Sequence, residues 1–338
     1  MRRCVCALLL VIAGCGGTPS APSGSADSTA PADPAPRPPD AGGGAVALTD
    51  DFAGRQLFPS DNWWNQDVST APVDSQSAAY INFIGPTRGA HPDFGPPPYG
   101  IPYVGVSGSQ ARLSMTFVDY GEESDMGFRG ENGYPVPDAA RSQPNFIEGG
   151  VAGGGTSGDR HMLIVDRDRW VLFELFAARW NASRSRWEAG SGAVFDLSSN
   201  TRRPEGWTSA DAAGLAILPG LVRYDEAMRG PVRHAFRMTV RSTNGYVWPA
   251  SHRAGSMTGA LPMGARLRLR ASKDISRYPP YIQNIFRAMQ TYGLIVADNG
   301  GDMYVTGSMD GRWNNSELNP AFAALTAADF EVIRLGWR

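Results

Sequence analysis

The chain has 338 residues and a formal charge of −2, and Gly and Pro together fill 66 positions. That is far more of these two residues than the elements of a helical bundle tolerate, which excludes one. The charge, which becomes −4 once Arg2 and Arg3 are removed, excludes the basic surface of a nucleic-acid binder.

Arg2 and Arg3 precede an apolar run from Val5 to Ile12, followed by Ala13, Gly14 and Cys15. The run is too short to span a bilayer and has the flanks of a secretory signal. The ending Ile12-Ala13-Gly14-Cys15 resembles the bacterial lipoprotein box. That resemblance implies a signal over 1–14 and a lipidated Cys15 as first mature residue, anchored to the membrane surface of the cell envelope. Cys4 and Cys6 leave with the signal, so the mature chain is expected to have no disulfides although it is exported. From Gly16 to Leu48 the chain is Pro, Ala, Ser, Gly and Asp with almost no apolar bulk. Such a segment cannot repay its ordering entropy and is expected to be a tether, its ends about 30 Å apart as a flexible coil.

Residues 49–338 read as a single globular β-rich domain, because no second linker and no repeat interrupt them. The periodic segments are short and mostly alternate with period two. His161–Val165 and Val171–Ala178 read as strands joined by the charged turn Asp166-Arg167-Asp168-Arg169. Val232–Arg241 reads as another strand, which Asn244-Gly245 would turn back into Tyr246-Val247-Trp248 as a hairpin. Ala265–Ala271 alternates as well. Tyr281–Tyr292 instead spaces Ile282, Ile285, Phe286 and Met289 as one helix face, with Gly293 as the stop. Strands at Leu294–Ala297 and Met303–Thr306 flank an Asn299-Gly300-Gly301 turn, and a last short helix starts at Thr326. The expected fold is a mainly β sandwich or jelly roll carrying one α-helix in its C-terminal region.

The common catalytic and cofactor motifs are absent, and no cofactor is implied. A multi-histidine zinc site would need nearly all of the 4 histidines, whereas a calcium site of loop carboxylates stays open, so no metal ligand is assigned. Asp159-Arg160-His161 follows the glycine-rich stretch 149–158 at the head of a strand, where ionisable groups suit a site or a salt-bridged loop. Glu174 shares a sheet face with Leu172 and Phe176, and desolvation there would raise its pKa toward that of a general acid. Its partner carboxylate would come from Asp159, Asp196, Asp211 or Asp225, with Asp211 and Asp159 preferred. His234 lies on an apolar strand face and reads as a satisfied core histidine. Arginine rows at Arg233, Arg237 and Arg241 and at Arg266, Arg268 and Arg270 would suit an acidic glycan if they shared one sheet surface, and are otherwise solvated faces. Trp207, Tyr224, Asp225, Trp248 and His252 put aromatic and polar groups together in the manner of a sugar platform.

From about Phe58 to Val332 the chain resembles a family of exported bacterial proteins of unassigned function. The resemblance is carried by Tyr99-Gly100-Ile101-Pro102-Tyr103, Gly158-Asp159-Arg160-His161 and Phe195-Asp196-Leu197. The longest block is Gly206 to Leu215, continuing into Leu221-Val222-Arg223-Tyr224-Asp225-Glu226. Val247-Trp248-Pro249-Ala250 with His252, and Tyr292 to Gly300, complete it. It implies export and a shared fold, and no reaction.

These readings converge on a tethered domain that acts on polysaccharide as a glycosidase would, with Glu174, Asp211, Asp159 and His161 as catalytic candidates. The alternatives are a non-catalytic glycan-binding or adhesion lipoprotein, and a polysaccharide lyase acting on an acidic glycan.

Overall fold

A computed structural model describes residues 46–338; the signal, Cys4, Cys6, Cys15 and nearly all of the tether lie outside the described residues. The described residues contain no cysteine, so no disulfide links them. Among them no helix is long and apolar enough to cross a membrane.

In chain order the strands begin with β1 (Ala47–Leu48), β2 (His91–Asp93), β3 (Tyr103–Val106), β4 (Met115–Phe117), β5 (Gly127–Phe128) and β6 (Glu131–Asn132). Next come β7 (Met162–Asp166), β8 (Val171–Phe176), β9 (Arg179–Asn181), β10 (Arg186–Ala189) and β11 (Ser191–Asp196). The last are β12 (Phe236–Val240), β13 (Arg266–Leu269), β14 (Leu294–Asn299), β15 (Tyr304–Thr306) and β16 (Phe330–Val332). The α-helices are α1 (Ser77–Ile84), α2 (Tyr224–Arg229), α3 (Pro280–Thr291) and α4 (Asn315–Ala323). Strand therefore dominates, as expected, with α1, α2 and α4 added to the one α-helix read from sequence.

Two sheets organise the core. The first has the order β1-β3-β7-β8-β11 and the second β16-β13-β14-β12-β15-β2. Both mix directions: β3 pairs parallel to β7, β12 to β14 and β15 to β2. The first sheet is buried on both faces. Leu163, Val165 and Leu172 point into the main core, while Met162, Ile164, Val171 and Phe173 pack toward a second cluster with Trp187 of β10. Strands covered on both faces read as unbroken apolar runs, which explains Met162–Val165 and Val171–Phe173. β1 pairs with β3 at Val104 and Gly105, so the folded part starts ahead of residue 49.

α3 covers the second sheet. Pro279 and Pro280 start it, and Ile282, Ile285, Phe286 and Met289 are buried. Each such side chain contributes about 1.5–3 kcal/mol by leaving water. Gly293 follows at φ 77°, a conformation that stops the helix and turns the chain into β14.

The Asn244-Gly245 hairpin is not formed. Asn244 bridges Ser256 and Tyr246 bridges Met263, while β12 has β14 on one edge and β15 on the other. With both edges taken, β12 has no place for the returning strand.

Residues 207–218 form a strap between the two sheets. On the first-sheet side Ser191 Oγ donates to the Ser209 carbonyl at 2.7 Å, and the backbone N–H groups of Ile217 and Leu218 donate to Glu174 at 2.9 Å. On the second-sheet side the Ala213 N–H donates to the Ala297 carbonyl of β14 at 2.9 Å.

Candidate functional site

The strap brings together a cluster of charged side chains from β12, the end of β14 and the head of β7. Arg237 of β12 grips Asp211 with two bonds, Nε to Oδ2 and Nη2 to Oδ1, each 2.9 Å. Its remaining donors reach Thr306 Oγ1 of β15 at 2.8 Å and Asp298 Oδ2 at the end of β14 at 3.2 Å. Asp211 is fully buried and Asp298 is 27% exposed. Two oppositely charged groups so deep in the fold are tolerated only because the fork geometry answers both.

His161 stands at the start of β7 on the other side of the strap. Its Nδ1 lies 2.7 Å from Glu148 Oε2 and its Nε2 lies 3.1 Å from the Ala210 carbonyl. Both partners only accept, so both ring nitrogens carry hydrogen and the ring is an imidazolium. Burial works against that charge, but Glu148 outweighs it and holds the His161 pKa up at about 9. Burial likewise pushes Glu148 up, and the His161 cation beside it brings the carboxyl below its usual range. Asp159 completes the group: one ligating atom from each of Glu148, Asp159 and His161 lies within 4.8 Å of the others. The Asp159 side chain is exposed and its carboxylate makes no hydrogen bond with the described residues.

Asp298 is part-exposed, its Oδ2 accepting from Arg237 and its Oδ1 from the Asn299 N–H at 2.7 Å. Burial raises its pKa to about 6, and the nearby Asp211 adds to this, while Arg237 and the Asn299 N–H oppose it. Asp93 of β2, at the periphery, is also raised, by desolvation against the pull of Arg237. The cluster thus combines a part-exposed carboxyl whose pKa is raised to about 6 with the exposed side chain of Asp159.

The sequence expectations are redistributed. Glu174 does sit near Asp211 and His161, and burial raises its pKa to about 7. It is nevertheless fully buried, with both oxygens used by the Ile217 and Leu218 N–H groups, so it anchors the strap and reaches no external substrate. Asp211 is likewise consumed by Arg237. Of the four catalytic candidates Asp159 alone faces solvent, and His161 acts as a fixed cation. His234 is a satisfied buried residue, bonded to Glu226 at 2.7 Å and the Ala235 carbonyl at 2.8 Å.

The arginine rows do not form one surface, because β14 lies between β12 and β13. Arg237, Arg266 and Arg268 are buried. Arg268 meets Glu331 at 2.9 Å and Arg266 donates to the Trp63 carbonyl, so protein acceptors answer these charges and neither an acidic glycan nor a solvated face is what they serve. The aromatic platform is also divided. Tyr224 packs edge-on against Trp313 with Arg312 over its face, and Asp225 binds Arg312 at 2.7 Å. Trp248 packs edge-on against Trp63 in another place. His252 lines an open recess with Gly206, Tyr246 and Arg253, and Trp207 is next in sequence to that recess.

Glu148, Arg237, Asp298 and Asp93 were missed as site residues. Asp298 had a local signal, an acid at the end of an apolar strand before Asn299-Gly300-Gly301. Glu148, in an irregular loop, had none. The chain matches no protein-family model, no curated protein and no solved structure.

Proposed function

We propose that this chain is an exported lipoprotein, anchored through Cys15 in the bacterial cell envelope, whose sandwich-like β domain hydrolyses polysaccharide with carboxylates of the inter-sheet cluster. The observation that supports catalysis best is Asp298, a part-exposed carboxyl held near pKa 6, which lies under the influence of the same His161 that stands beside the exposed carboxylate of Asp159. Asp298 donates a proton to the leaving oxygen, and Asp159 serves as the second carboxylate, the pairing that glycoside cleavage requires. Arg237, His161 and Glu148 position these groups and keep the strap between the sheets.

A second reading, glycan binding without cleavage, is favoured by the recess beside Tyr246 and His252, an open space of about 480 Å³. Reducing-sugar release from a panel of neutral and acidic polysaccharides separates the two. Hydrolysis that drops at least about 100-fold in Asp298→Asn and in Asp159→Asn supports the catalytic reading. Retention on a glycan with no release of reducing ends supports the binding reading and overturns the catalytic one.

A further inference from the structure

A second cavity, of about 280 Å³, opens beside the loop 51–57 and the end of α2. Its lining is rich in charge, and most of that charge is already answered. Glu226 binds Arg223 at 2.5 Å and His234 at 2.7 Å. Asp225 gives both oxygens to Arg312, at 2.7 and 2.9 Å, and Asp51 faces Arg229 at 3.3 Å. Arg55 and Arg233 remain. Both line the cavity, and among the described residues neither has a carboxylate partner.

The loop that presents Arg55 is held in an unusual shape. Phe52 (φ 50°), Ala53 (φ 53°) and Gly54 (φ 73°) follow one another in the left-handed region. Non-glycine residues adopt it seldom, and such strain persists where the surroundings over-determine it, typically at ligand clamps. Here Phe52 is wedged against Tyr103 and Trp170, and the Asp51 carboxylate accepts the Ala53 N–H at 3.0 Å. The Arg55 guanidinium lies over the Trp170 ring, its carbon 3.9 Å from the ring centre, and among the described residues its N–H groups make no hydrogen bond.

We propose that this cavity binds a small anion, a carboxylate or phosphate group carried on a body no larger than one sugar ring, clamped between Arg55 and Arg233. Planar guanidinium groups match both oxyanions through paired N–H bonds, and the volume is that of a small-molecule site at the lower end of the range. The site is separate from the inter-sheet cluster and does not depend on the glycosidase reading.

Titration calorimetry of the full chain with D-glucuronate, inorganic phosphate and uncharged glucose tests it, at about 50 and 500 mM salt. The expected result is binding of glucuronate or phosphate and not of glucose, weakened at least tenfold by the higher salt. Which anion binds identifies a sugar acid or a phosphate as the source of the charge. Arg55→Gln with Arg233→Gln, both exposed positions, should lose at least tenfold in affinity with an unchanged circular dichroism spectrum, while Asp298→Asn should bind as the wild type does. Absence of binding by both anions, equal binding of glucose, or full affinity in the double variant overturns the proposal.

Discussion

Asp211 and Arg237 meet through two parallel hydrogen bonds of 2.9 Å, with the carboxylate wholly inside the protein. This pair pins the strap 207–218 to β12, while Glu174 and His161 pin the same strap to the first sheet. Removing one partner leaves a buried charge unanswered. Arg237→Met should therefore destabilise by about 3–5 kcal/mol. Adding Asp211→Asn to it should cost less than the sum of the two single changes. Urea unfolding of the four proteins measures this, and simple additivity would show the pair to be uncoupled.

The His161–Glu148 pair makes stability depend on pH at both ends. His161 is raised from 6.5 to about 9 in the fold, so its contribution is fully present below pH 6.5 and disappears as pH rises through about 9. Glu148 is lowered from 4.5, so its contribution is present above pH 4.5 and is lost as pH falls. The melting-temperature gap between wild type and His161→Gln should be widest between these limits and shrink toward pH 9. A gap constant from pH 6 to 9.5 would contradict the imidazolium assignment.

Glu174 has the opposite consequence for a carboxyl. Its folded pKa of about 7 lies above 4.5, so the fold favours the neutral acid, and its contribution declines as pH rises from 4.5 through about 7. Glu174→Gln should remove that slope. It should also cost about 1–3 kcal/mol, because the amide N–H₂ cannot accept from the strap. A variant with an unaltered slope would place the titration elsewhere.

Gly214 turns the strap at φ 72°, and a Cβ there would lie 2.0 Å from Ser251 Oγ and 2.6 Å from the Trp207 carbonyl. Gly214→Ala should lower the melting temperature more than Gly311→Ala, where nothing lies within 4 Å of the added carbon. Equal shifts at the two glycines would mean that the turn relaxes without cost.

Much of the fold was legible because period and punctuation are local. Phe236–Val240, Arg266–Leu269, Leu294–Asn299 and Pro280–Thr291 all fall where alternation, helical spacing and Gly293 put them. Thr326 also heads its short helix as a cap, with Asp329 returning the bond. α4 was not legible, since Pro320 lies inside it and its apolar spacing is weak. The Asn244-Gly245 turn failed for a non-local reason, the occupied edges of β12. The site divided in the same way. His161 and Asp159 were visible from their loop-to-strand setting, and Glu174 from its apolar strand, although its partners turned out to be backbone N–H groups from 43 and 44 residues away. Asp298 owes its raised pKa first to burial and then to Asp211, with Arg237 opposing, and these two residues lie 87 and 61 positions away in sequence, a grouping no spacing rule encodes.

The most direct test of the account is the pH dependence of glycan hydrolysis in wild type and Asp298→Asn. With Asp298 as the proton donor, wild-type kcat/KM should fall as pH rises above about 6, and the variant should be at least about 100-fold slower with an unchanged fold. Hydrolysis by Asp298→Asn at the wild-type rate, with the same pH profile, would contradict it.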